Sequence, residues 1–146
     1  MSFNVVIASN KKVSGTNTDA TYNFNFQQFE KGEYEVSFCF CSSLDTEQAL
    51  YNNIQQVELP DLPQLNYRAD TQIGTASSGV IGITYANKID GKEQYKATWG
   101  ENPPIYCKGL PSSSTFRVKL IELPDAPGSQ IHPPEYYVLI LSFKKL

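Results

Sequence analysis

Apolar and polar residues alternate at almost every step along much of this chain, and that periodicity constrains the fold more than any motif does. Ala20, Tyr22, Phe24 and Phe26 fall on one side of the alternation, with Thr21, Asn23 and Asn25 on the other. The pattern resumes as Tyr34, Val36, Phe38 and Phe40 against Glu35, Ser37, Cys39 and Cys41. A period of two places successive side chains on opposite faces of a strand, so each run predicts a β-strand with one aromatic face. Glu30-Lys31-Gly32-Glu33 supplies a glycine-containing turn between them, which predicts a hairpin. A face carrying that many rings must be covered, so a second β layer is expected over it.

The same reading continues downstream. Ile54 to Leu59 is a short strand that Pro60 stops, because proline cannot donate to a ladder. Leu62 to Arg68, interrupted by Pro63, reads as an extended edge piece, and Ala69 to Gly79, rich in Thr, Ser and Gly, as a surface loop. Ile81, Ile83 and Tyr85 alternate with Val80, Gly82 and Thr84, and Tyr95, Ala97 and Trp99 follow after Asp90-Gly91, a pair suited to positive φ. Ile105-Tyr106-Cys107 is a brief extended piece, and Phe116, Val118 and Leu120 alternate with Arg117 and Lys119. The final run, Tyr136 to Phe143, is apolar on both faces and predicts a central strand. The one helical signal is Asp45-Thr46-Glu47-Gln48, a capping pattern that predicts a turn or two of helix ending by Asn53. Eight to nine strands over residues 1–146, with no internal repeat, predict a single all-β domain, an antiparallel β-sandwich of jelly-roll type with about eight strands.

Composition enters chiefly through what it excludes. A formal net charge of -3 offers no basic face for nucleic acid. The apolar stretch at the N-terminus is too short for a signal core or a bilayer span, so neither secretion nor membrane insertion is expected. Cys39 and Cys41 lie two apart on one strand, poor geometry for a mutual disulfide, and Cys107 stands alone; reduced, packed thiols are the expectation.

No catalytic constellation is legible in the sequence. His132 is the single histidine, in Gln130-Ile131-His132-Pro133-Pro134, and reads as a solvent-facing bystander rather than a triad member or metal ligand. The carboxylate pairs Glu33 with Glu35, Asp45 with Glu47, and Glu58 with Asp61 fall where solvated strand faces and turns carry charge. No phosphate loop, dinucleotide fingerprint or dense carboxylate loop for calcium is present. The expectation is therefore a non-enzyme with no catalytic, cofactor-binding or metal-binding residues and no cofactor. Tyr51, Tyr67, Tyr85, Tyr95, Trp99 and Tyr106 could stack on sugars or bases if exposed, but an inter-sheet core or a subunit contact is the stronger expectation for them.

Three segments carry a family resemblance. The opening Asn4 to Ser9 and Ala20 to Phe26, the run Gly32 to Phe40, and the closing Pro134 to Phe143 together resemble small jelly-roll minor capsid proteins of nucleocytoplasmic large DNA viruses of algae and amoebae. The likeness covers the first forty-odd residues and the last dozen or so, and the middle only in layout. It implies a structural virion protein, assembled in the host cytoplasm, that links capsomers. Its implied partners are the major capsid protein and other minor capsid proteins, with a homotrimer as its own assembly. Contacts would then fall on Leu44 to Asn53, Ala69 to Gly79 and the proline-stiffened Leu123 to Pro134. The rival readings are a lectin-like carbohydrate-binding sandwich, expected to cluster exposed rings on one face, and a secreted trimeric jelly roll of the tumour-necrosis-factor or complement kind, which the absent leader disfavours.

Overall fold

The computed structural model describes residues 1–43, 54–64, 67–68, 77–123 and 134–146. The predicted helix after Asp45, His132, the Asp45–Glu47 pair and nearly all of the three loop segments named above lie outside them.

The described chain is all-β. In sequence order its strands are β1 (Ser2–Ala8), β2 (Ser14–Thr16), β3 (Asp19–Asn23), β4 (Tyr34–Ser42), β5 (Ile54–Glu58), β6 (Tyr67–Arg68), β7 (Ser77–Ser78), β8 (Val80–Ile89), β9 (Lys92–Ala97), β10 (Ile105–Cys107), β11 (Thr115–Leu123) and β12 (Tyr137–Lys145). Ten of them form one open antiparallel sheet in the order β1-β12-β4-β9-β8-β5-β11-β3-β2, with β10 added on β4. β6 and β7 form a separate two-stranded ribbon, so Ser77 and Ser78 are paired rather than free loop.

This sheet doubles over at the β8–β9 hairpin, so that β1-β12-β4-β9 faces β8-β5-β11-β3. The Tyr22 hydroxyl on β3 meets that of Tyr137 on β12 at 2.7 Å, deep in the interior. Phe26 packs edge-on against both Phe143 of one layer and Phe116 of the other, each ring centre 5.6 Å away. Gly82 on β8 lies directly under the Phe38 ring on β4. The inward faces supply a continuous core: Tyr34, Val36, Phe38 and Phe40 from β4, Tyr137, Leu139, Leu141 and Phe143 from β12, and Phe116, Val118 and Leu120 from β11. Removing each such side chain from water stabilises the fold by about 1.5–3 kcal/mol. β12 is central as its two-sided apolar sequence requires, with β1 on one flank and β4 on the other.

Two predicted details change. The aromatic runs Ala20–Phe26 and Tyr34–Phe40 do not form a hairpin. β3 pairs with β11 and β2, whereas β4 pairs with β12, β9 and β10. The linker between them includes a 3₁₀ turn at Phe26–Gln28, capped by the Asn25 side chain, and crosses from one layer to the other. The two aromatic faces therefore meet across the core instead of lying side by side, which buries both. The second change is a bulge. Val57 pairs with Gly82 but Glu58 with Val80, so the alternation shifts phase at Ile81. Ile81 and Thr84 point inward, and Ile83 and Tyr85, expected to share a face with Ile81, turn outward. The β8–β9 turn itself matches its sequence, with Asp90 at φ 49° and Gly91 at φ 75°.

Candidate interaction surface

The bulge at Ile81 creates the most distinctive outer surface among the described residues. Ile83 and Tyr85 stand 44% and 39% exposed on β8, and Ile54, directly opposite Tyr85 on β5, is 41% exposed. Half-buried Ile121 of β11 extends this apolar row, opposite Gln56. Strands twist and pair through such same-face neighbours, so the row is held on rigid elements rather than on loops.

The local geometry is braced from the turn after β9. Asn102 donates its amide to the Ile83 carbonyl at 2.8 Å and accepts the Ile83 N–H at 2.9 Å, standing in for the ladder partner that β9, ending at Ala97, does not supply. Glu101 accepts the Tyr85 hydroxyl at 2.7 Å and also the Thr98 hydroxyl. These bonds hold the Glu101 carboxyl below its usual range, the Thr98 bond foremost, and push the Tyr85 phenol upward. Trp99, in the same turn, is half exposed.

Other charged and polar groups serve local structure. Arg117 grips Asp19 through two bonds of 2.6 and 2.5 Å, and its backbone N–H donates to Asp61 at 2.8 Å. The Arg117 bond holds the Asp19 carboxyl below its ordinary value. Glu58 is not on a solvated face: it is buried and accepts the Gln56 side-chain amide at 3.0 Å. Glu33 engages the Tyr106 hydroxyl, which pushes that phenol upward. Thus Glu33, Glu58 and Asp61 have separate structural tasks. A cleft of about 350 Å³ lies between Phe26, Phe29 and Leu110, with Lys31 and Lys108 at its lining. It brings together no acid–base pair.

All three thiols are free: Cys107 is buried, Cys39 half-buried and Cys41 exposed. Burial pushes Cys107 up to about 12 and raises Cys39 as well, the reverse of what a reactive thiol needs. No group of three or more His, Cys, Asp or Glu is placed to hold a metal among the described residues.

Of the aromatic residues singled out in the sequence, Tyr95 is buried, while Tyr85, Trp99 and Tyr106 are exposed. Tyr51 and the Tyr67 side chain lie outside the described residues. The sequence reading treats Ile54 and Ile83 only as strand residues and not as surface ones, although glycine inside a strand pattern, Gly82, is the signal that marks a bulge. No protein-family model matches the chain, and no curated protein matches it.

Proposed function

We propose that this chain is a structural subunit of a protein shell, a minor capsid protein of large-DNA-virus type that joins neighbouring coat subunits. The observation that carries this reading is the outward apolar row Ile54, Ile83 and Tyr85, braced by Asn102 and Glu101 on rigid strands. Exposed aromatic and aliphatic side chains fixed in place lose little entropy on docking, which suits a permanent contact. The strand orders β1-β12-β4-β9 and β3-β11-β5-β8 support it, because two interleaved Greek keys of the jelly-roll kind produce that ordering. In this reading the subunit assembles in the host cytoplasm and resides in the virion, and its long polar connections add contacts to those of the sheet face.

The test is co-sedimentation of the purified protein with assembled major coat protein from the same genome. Binding is expected, and Tyr85→Ala with Ile83→Asp should weaken it by about thirtyfold or more, the loss of a hot-spot contact. Failure of the unaltered protein to co-sediment refutes the shell reading.

A lectin-like role is favoured by one separate observation. Tyr85 and Trp99 are both exposed beside the Glu101 carboxylate, the mixture of ring and acceptor that sugars use. Glycan-array binding lost in Trp99→Ala, with no coat-protein binding, selects that role instead.

A further inference from the structure

The open sheet has two ends, and they are unlike. β2 at one end is three residues long, too short to template another strand. β10 is equally short. β1, at the other end, runs for seven residues, Ser2-Phe3-Asn4-Val5-Val6-Ile7-Ala8, with no charge and no proline. It follows β12 in unbroken register from Ser2 opposite Lys144 to Ala8 opposite Val138, without a bulge. Among the described residues, no hydrogen bond joins the backbone of β1 to anything but β12. β1 itself carries none of the charges, prolines or bulges that ordinarily blunt an edge strand, and among the described residues its outward row of N–H and C=O groups has no strand partner.

Side chains add a direction. Val5 and Ile7 point into the core at 3% exposure each, whereas Val6 points away at 65%. Phe3 is already covered, stacked between Phe143 at 4.8 Å and Phe29 at 3.7 Å between ring centres. The uncovered stretch is therefore Asn4 to Ala8, with Val6 at its centre.

We propose that β1 pairs antiparallel with β1 of a second copy of this chain, about a two-fold axis at Val6. That register sets Val6 against Val6, Val5 against Ile7 and Asn4 against Ala8 of the second copy. It matches apolar to apolar on the core side, so the two cores continue across the seam. The contact is self-complementary, as a closed two-fold interface requires. Antiparallel pairing also keeps the Lys144 residues, each level with Ser2, at opposite ends of the seam, whereas parallel pairing sets them at the same level. The contact closes at two copies and leaves the Ile54, Ile83 and Tyr85 row free for other partners.

Sedimentation equilibrium of the intact chain tests the assembly, and cysteine cross-linking tests the register. A dimer is expected, and Val6→Lys, at an exposed position that does not disturb the core, should weaken it by about tenfold or more. In a Cys41→Ser background, Val6→Cys should oxidise to a covalent dimer, because opposed positions bring Cβ atoms within disulfide reach, and Asn4→Cys should not. Amide exchange on the unaltered chain gives a reading free of any variant: protection of Asn4 to Ala8 should rise with concentration. A monomer at all concentrations, a trimer indifferent to Val6→Lys, or equal cross-linking from Asn4→Cys and Val6→Cys overturns the proposal.

Discussion

Replacing one hydroxyl of the Tyr22–Tyr137 pair should cost more than replacing both. The two oxygens lie 2.7 Å apart in the interior, and the rings are 4% and 0% exposed, so neither hydroxyl has water as an alternative partner. Tyr137→Phe removes one oxygen and leaves the Tyr22 hydroxyl buried without its mate, a desolvation cost of about 1–3 kcal/mol. Tyr22→Phe has the mirror consequence. In the double variant two apolar rings of the same shape face each other, and the penalty falls to near zero. The coupling energy, the sum of the two single losses, is therefore about 2–6 kcal/mol, with the double variant more stable than the sum of the singles predicts. Urea unfolding of the four proteins measures it, and thermal midpoints should follow at roughly 2–4 °C per kcal/mol for a chain of this size. Additive losses would show that the two sheets are not joined by this bond, and the account of how the layers face each other would fail with it.

Three further outcomes are expected. Gly82→Ala puts a Cβ 2.7 Å from the Phe38 ring and 2.5 Å from the Asn102 side-chain oxygen, so urea unfolding should show a loss of about 1–3 kcal/mol. An unchanged midpoint would mean that the bulge has room to spare. Cys107, raised by burial from 9.0 to about 12, contributes stability that is complete below about pH 9 and lost as pH rises toward 12. The urea midpoint should thus fall above about pH 9, and Cys107→Ala should lessen that early decline, to which Cys39, also raised by burial, contributes; Tyr22 and Tyr137, raised by burial too, add to it only above about pH 10. The Asp19 carboxyl, lowered by Arg117, acts in the opposite direction: its contribution is present above about pH 4 and is lost as pH falls. Both side chains are nearly half exposed, so Arg117→Ala should cost no more than about 1 kcal/mol at neutral pH, and a larger loss in urea would contradict a solvent-screened pair.

Local pattern was a good guide to strands and a poor one to their partners. The alternation around Phe38 and around Val118 identified β4 and β11 with the correct inward residues, and Asp90-Gly91 located the β8–β9 turn. The two-sided apolar run at the C-terminus marks β12 as an interior strand, and it lies between β1 and β4. The same logic misplaced the join between β3 and β4, because two aromatic strands separated by a glycine look alike whether they pair or face each other. It also misassigned Ile83 and Tyr85, since a single extra residue at Ile81 inverts every side chain after it.

From sequence alone, then, came the all-β class, most strand positions and the greater part of the core, for these depend on which side of a short extended segment is apolar. That property is local, carried by the period of two. Only the tertiary structure decided that β3 lies beside β11 and opposite β12, that Tyr22 meets Tyr137, and that Ile54, Ile83 and Tyr85 form an outer row. Those outcomes depend on how distant strands share one interior, a competition between alternative burials that no single segment encodes.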